Sequence, residues 1–113
     1  MEATAKARHL KSSTNRMRQV ADMVRGKSVD SASAILFGLG PHKKSARMVD
    51  KVLKSAVSNW QTRQGSGTRG KNLMVKSITV DAGPLVKRIR ARAQGRAFKI
   101  EKKLSHLTVV VSD

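Results

Sequence analysis

The chain has no cysteine and no tyrosine. The first absence removes any disulfide framework and any thiolate metal site. The second leaves Phe37, Trp60 and Phe98 as the only aromatic residues among 113. Phe37 and Trp60 read as core. Folds that read single-stranded RNA stack bases on aromatic side chains of a sheet, and the sheet expected here carries none. Acid is scarce too. Glu2, Asp22, Asp30, Asp50, Asp81, Glu101 and Asp113 are scattered singly, so paired-carboxylate catalysis has no support. His9, His42 and His106 are isolated and read as surface or sheet histidines rather than ligands or bases. No Walker loop, nucleophile elbow or zinc spacing is present. Residues 65–70, GSGTRG, lack the Lys-Ser/Thr of a P-loop and read as a plain loop. No apolar run reaches membrane-spanning length, and the opening MEATAKARHLKSS lacks the apolar core of a secretory signal. These absences predict a single soluble, cytoplasmic domain over residues 1–113, not an enzyme, with no cofactor and no metal.

What is abundant is positive charge. Twenty-four lysines and arginines against seven acids leave +17, with a pI near 11.6. Self-repulsion of that size weakens a free compact chain, and a polyanion relieves it. The charge peaks in Asp81–Lys103, where Lys87, Arg88, Arg90, Arg92, Arg96, Lys99, Lys102 and Lys103 face only Asp81 and Glu101. Eight minus two gives +6, and the remaining +11 is spread over the rest of the chain. The apolar residues of this stretch, Leu85, Val86, Ile89, Phe98 and Ile100, are too sparse for a core of their own. It reads as an arm that folds against something anionic.

The rest of the chain reads in order. Residues 2–10 alternate, with Ala3, Ala5, Ala7 and His9 on one face, as in a strand. Alanine makes it a weak strand, suited to a sheet edge. Ser12, Ser13 and Thr14 are capping types ahead of a helix whose inner face is Met17, Val20, Ala21 and Val24. Gly26 stops it, with Arg25 and Lys27 at its end. Ser28 caps a short second helix with Asp30 in its first turn and Ala32, Ile35 and Leu36 inward; Gly38 and Gly40 close it. Pro41 suits the first position of a third helix. There Ala46, Val49, Leu53, Ala56, Val57 and Trp60 share an arc of about 100°. Lys43, Lys44, Arg47, Lys51 and Lys54 lie on the far side, relieved only by Asp50. Two strands follow, at 73–80 and 105–112, with a break expected at Gly83-Pro84. The near-continuous apolarity of 105–112 reads as a central strand under helices. Between the two strands the arm reads as a hairpin turning near residues 91–94. With about twelve residues a side, at roughly 3.3 Å each, it would reach about 40 Å and be mobile until bound.

Without stacking aromatics, binding rests on phosphate contacts and shape, which favours a folded RNA. Two competing readings are a DNA-compacting protein and a cationic membrane-surface domain. The first would need helices two and three to form a helix-turn-helix, and FGLGP is a poor tight turn. The second would need an apolar stripe to spare, and the one on helix three is needed for the core.

Four stretches carry a closer likeness: VADMVRGKSV (20–29), KVLKSAVSNW (51–60), DAGPLVKRIRARAQGRA (81–97) and SHLTVVVSD (105–113). In order and spacing the chain resembles the bacterial-type ribosomal protein L twenty-two family over nearly its whole length. The resemblance implies an α+β fold: three helices on a small three-stranded antiparallel sheet, with a long protruding basic β-hairpin at about 81–104. It implies a structural constituent of the large ribosomal subunit that binds large-subunit rRNA and supports assembly. The hairpin would line the nascent-peptide exit tunnel, with the globular part near the exit. Its partners would be rRNA, ribosomal protein L four and the nascent polypeptide, with no membrane and no homo-oligomer. The implied rRNA-binding residues are Arg18, Arg25 and Lys27 near the first helix. On the arm they are Lys87, Arg88, Arg90, Arg92, Gln94, Gly95, Arg96, Lys99, Lys102 and Lys103. Arg90, Ala91, Arg92 and Ala93 would form the tunnel-facing tip. Two positions depart from many members. Arg90-Ala91 replaces Met-Pro, giving a more flexible and more charged tip. Thr14-Asn15-Arg16 replaces Pro-Arg-Lys, so Thr14 is expected to cap the helix while a phosphate contact at position 15 is lost.

Overall fold

The computed structural model describes residues 2–39, 44–64, 73–91, 95 and 97–112, and for 64, 90, 91 and 97–101 it describes the backbone alone. The elements run β1 (Glu2–Leu10), α1 (Thr14–Val24), α2 (Val29–Gly38), α3 (Lys44–Gln64), β2 (Met74–Ala91) and β3 (Ala97–Ser112). The sheet is antiparallel throughout in the order β1-β3-β2. The expected edge strand at 2–10 and the expected central strand at 105–112 both stand. The helices cover one face of the sheet only, packing on Ala3, Ala5, Val75, Ile78, Val80, Leu107, Val109 and Val111. Thr108 and Val110 face the other way and are half-buried.

The first two helices start where local chemistry provides a cap. The Ser13 hydroxyl accepts the Arg16 amide and opens α1, so Ser13 caps rather than Thr14, which is the first helical residue. Ser28 does the same for α2 through the Ser31 amide at 3.2 Å. The inner face of α1 is Met17, Val20, Ala21 and Val24, all buried as their spacing predicts. In α3, Ala46, Val49, Leu53, Ala56 and Trp60 are buried and Val57 is half-buried, while Val52 joins the core beside them. Among the described residues the Trp60 indole N–H has no hydrogen-bond partner. Pro41 and the loop at 65–70 lie outside the described residues.

Three local expectations are corrected. Phe37 is 89% exposed rather than core. At 100° per residue it sits about 140° around α2 from Ala32, so the helix that buries Ala32 and Leu36 must turn Phe37 outward. His9 leaves the alanine face. Its φ of 58° kinks the strand without ending it, the pairing shifts between Ala7 and Leu10, and Leu10 packs on the core instead. The His9 amide then donates to Nδ1 of His106 at 3.1 Å. Gly83-Pro84 is not a break. β2 runs through it with a shift of register between Ala82 and Leu85, a bulge on an edge strand where proline is tolerated. A Cβ on Gly83 would stand 3.0 Å from the Leu104 carbonyl oxygen, so the two strands approach closely because this residue is glycine.

Beyond the bulge, β2 and β3 continue as a two-stranded ladder from Leu85↔Lys103 to Ala91↔Ala97, seven pairs in register. At roughly 3.3 Å per residue that is about 23 Å, shorter than the reach the sequence predicts. The bulge takes up part of the rest, and most of the turn lies outside the described residues. The radius of gyration, 17.1 Å, exceeds the roughly 13 Å of a compact domain this long. The longest axis is 63 Å against 25 and 20 Å across. The hairpin makes the molecule long.

Candidate nucleic-acid interface

The ladder is wide enough for two strands and nothing more. Leu85 is 50% and Ile89 77% exposed, so these two apolar side chains of the arm are not packed into a core. Register sorts its cations. Paired residues share a face and neighbours along a strand alternate. Lys87 lies on one face with Lys103, which pairs with Leu85; Arg88 lies on the other with Lys102, which pairs with Val86. All four are exposed. A strand arm with cations on both faces suits a partner that surrounds it better than one that meets a single side. Such a partner supplies anions all around the arm.

The backbone positions of Arg90, Ala91 and Lys99 fall within the ladder, opposite Phe98, Ala97 and Ile89. Gly95 has φ 70°, in the left-handed region that side chains disfavour. The chain therefore leaves the strand conformation there, as the arm motif implies. Arg92, Ala93, Gln94 and Arg96, and with them most of the expected turn, lie outside the described residues.

The cations near α1 have a second employment that their sequence positions conceal. β2 is an edge strand, and its outward carbonyls would otherwise be unpaired. The Arg18 guanidinium donates to the Val80 carbonyl oxygen, 3.2 Å from Nη2 and 3.4 Å from Nε. The Arg25 Nη2 donates to the Ile78 carbonyl at 2.9 Å, while Nη1 pairs with Asp22. Further along, the Val75 amide donates to the Lys27 carbonyl at 2.9 Å, and the Gly26 amide to the Val75 carbonyl at 3.2 Å. The end of α1 thus closes the free edge of the strand that becomes the arm. Arg25→Ala should lower stability by about 1 kcal/mol, the usual net value of a hydrogen bond. A urea unfolding midpoint unchanged by this substitution would contradict the edge-closing role.

On α3, Lys44, Arg47, Lys51 and Lys54 are exposed on the face away from the core. Lys54 pairs with Asp50 at 3.1 Å, and Lys43 lies outside the described residues. Between the β1–α1 connection, α1 and α3 a further basic cleft opens, lined by Lys11, Arg16 and Lys44. Sequence reasoning missed it because its three cations come from three separate segments. The exposed Lys11 and Arg16 either side of the serine cap were the only local signal. Among the described residues no group of three or more acidic, histidine or cysteine side chains can hold a metal ion, and no helix is long and apolar enough to cross a membrane. A family model described as ribosomal protein L22p/L17e matches residues 5–112.

Proposed function

The chain belongs to the ribosomal protein L22p/L17e family, and from that membership we propose that its basic hairpin passes through large-subunit rRNA to line the nascent-peptide exit tunnel. The coarser function follows from the family itself. The protein is a structural constituent of the large ribosomal subunit, in the cytoplasm; it binds large-subunit rRNA among other ribosomal proteins and is not an enzyme.

The finer reading has the arm as the anchor, with Lys87, Arg88, Arg90, Arg92, Gln94, Gly95, Arg96, Lys99, Lys102 and Lys103 meeting rRNA. The tip, Arg90–Ala93, faces the tunnel and the nascent polypeptide, beside ribosomal protein L four. The globular part sits near the tunnel exit, and the protein supports subunit assembly as one domain and one copy. Arg18, Arg25 and Lys27 contribute to rRNA from the other side of the β2 edge they close. One observation carries this reading: exposed cations on both faces of a ladder that projects past the three-stranded sheet. Such an arm has little to gain from lying on a surface and much from being enclosed by phosphates.

The test places a photo-crosslinking side chain at position 91 of the full protein and assembles it into large subunits carrying stalled nascent chains of graded length. The expected result is a cross-link to the nascent chain that appears once the chain is long enough to reach the tip. Incorporated protein that cross-links to no nascent chain at any length would overturn the tunnel placement.

A further inference from the structure

The cleft at Lys11, Arg16 and Lys44 lies outside the arm and outside the cations of α1 considered above. It has a volume of about 380 Å³. Its walls are the β1–α1 connection (Lys11, Ser12), α1 (Arg16, Gln19) and the start of α3 (Lys44, Ser45). The two serine hydroxyls are 3.2 Å apart and tie the connection to α3. Ser45 is 8% exposed, whereas Lys11, Arg16 and Lys44 are all exposed at the rim. Each wall is held from beneath by buried residues, Met17 and Val20 in α1 and Ala46 and Val49 in α3. The three cations are therefore brought together by the core and not by chance on a loose surface.

No acidic residue lines the cleft among the described residues. This differs from the outer face of α3, where Asp50 takes Lys54, and from the α1 end, where Asp22 takes Arg25. Three like charges at one concavity repel unless an anion sits between them. The Ser12 and Ser45 hydroxyls bond each other, which leaves one of their two protons and the Gln19 amide to donate to an anion's oxygens. α1 starts between Ser12 and Arg16, so the positive end of its dipole adds to the same field.

We propose that this cleft binds one phosphate group of the RNA backbone, as a contact separate from the arm. The proposal rests on the rRNA-binding function above. The arm then fixes the long axis of the protein on its RNA, and the cleft fixes rotation about that axis.

Two measurements on the full chain test this. In the first, isotope-labelled protein is titrated with inorganic phosphate at low ionic strength. Saturable amide shifts are expected at Ser12, Arg16 and Ser45, and should vanish in the Lys11→Gln/Arg16→Gln/Lys44→Gln variant. Scattered or unsaturable shifts would overturn the site. In the second, binding to large-subunit rRNA is followed across a salt series with excess unrelated RNA as competitor. One phosphate fewer lowers the log–log salt slope by about 0.7 to 0.9, so the triple variant should lose about that much. Arg16→Lys, which keeps the charge, should retain the slope and so separates loss of charge from loss of fold. A fall of two or more would mean that the cations serve separate phosphates, against a single cleft. An unchanged slope beside intact phosphate shifts would make this a free-anion site and overturn the RNA assignment. If the wild-type protein itself does not discriminate rRNA from competitor, the function falls, whereas discrimination with an unchanged variant slope removes the cleft alone.

Discussion

Leu107→Ala is expected to destabilise the protein by about 2–5 kcal/mol. Leu107 is fully buried in β3, the central strand. It stands between Ala7 of β1 and Val80 of β2 in the register of the sheet. The residues around it come from all three strands and from the helices above them, so no single element can shift to fill the space. Partial collapse is what makes some leucine deletions mild, and here the small Ala7 on one side leaves little side chain to move inward. Domains of this size are stable by only about 5–15 kcal/mol, so the loss is a large fraction of the whole. Urea unfolding of the free protein would measure it. A change below about 1 kcal/mol would mean that the sheet and helices repack around the site.

The second large effect concerns binding. Replacing Lys87, Arg88, Lys102 and Lys103 together by glutamine should lower the log–log salt slope of rRNA binding by about 3, since each phosphate released accounts for about 0.7 to 0.9. Between 1 M and 0.1 M salt that is a thousandfold difference from the wild-type protein, shrinking towards nothing at the high end. The fold should survive, because all four side chains are exposed and lie beyond the strand that β1 closes. Thermal unfolding of the variant would check this independently. A slope within one unit of wild type would show that the arm is not the main phosphate-binding surface and would return attention to α3. A slope reduced by only about half the expected amount would mean that one face of the ladder is solvated. Paired variants, Lys87 with Lys103 and Arg88 with Lys102, would then show which.

Much of this was legible in the residues. The stripe of α3, the inner face of α1 and the capping role of Ser28 follow from local spacing and local chemistry, and each stands. The basic arm was legible as a sum of charge. What was not legible depends on contacts between distant residues. Arg18 reads as a free cation in sequence because Val80, whose carbonyl it serves, lies 62 positions away. Arg25 and Ile78 are related in the same way. Gly83-Pro84 carries the local signature of a turn, and only the pairing of β3 across from it makes it a bulge. Phe37 was assigned inward on its hydrophobicity, although the angular position set by Ala32 and Leu36 already placed it outside. The cleft at Lys11, Arg16 and Lys44 needs three segments to meet, which no local pattern encodes.

The sheet order also governs when the fold can form. Among the described residues β1 pairs with no strand except β3, and Glu2 pairs with Ser112 at the far end of the described chain. During synthesis at about 5–20 residues per second, the first strand therefore waits roughly 5–20 s for its partner. The helices that will cover it can gather meanwhile, but the sheet cannot close. Such non-local pairing is the slow kind, because chain entropy is lost before contacts repay it. For that interval an alanine-rich strand bearing Lys6 and Arg8 is less apt to pair with a neighbouring chain than a valine-rich one would be. The weak strand propensity of residues 2–10 thus has a use in time: it keeps the waiting edge quiet until β3 arrives.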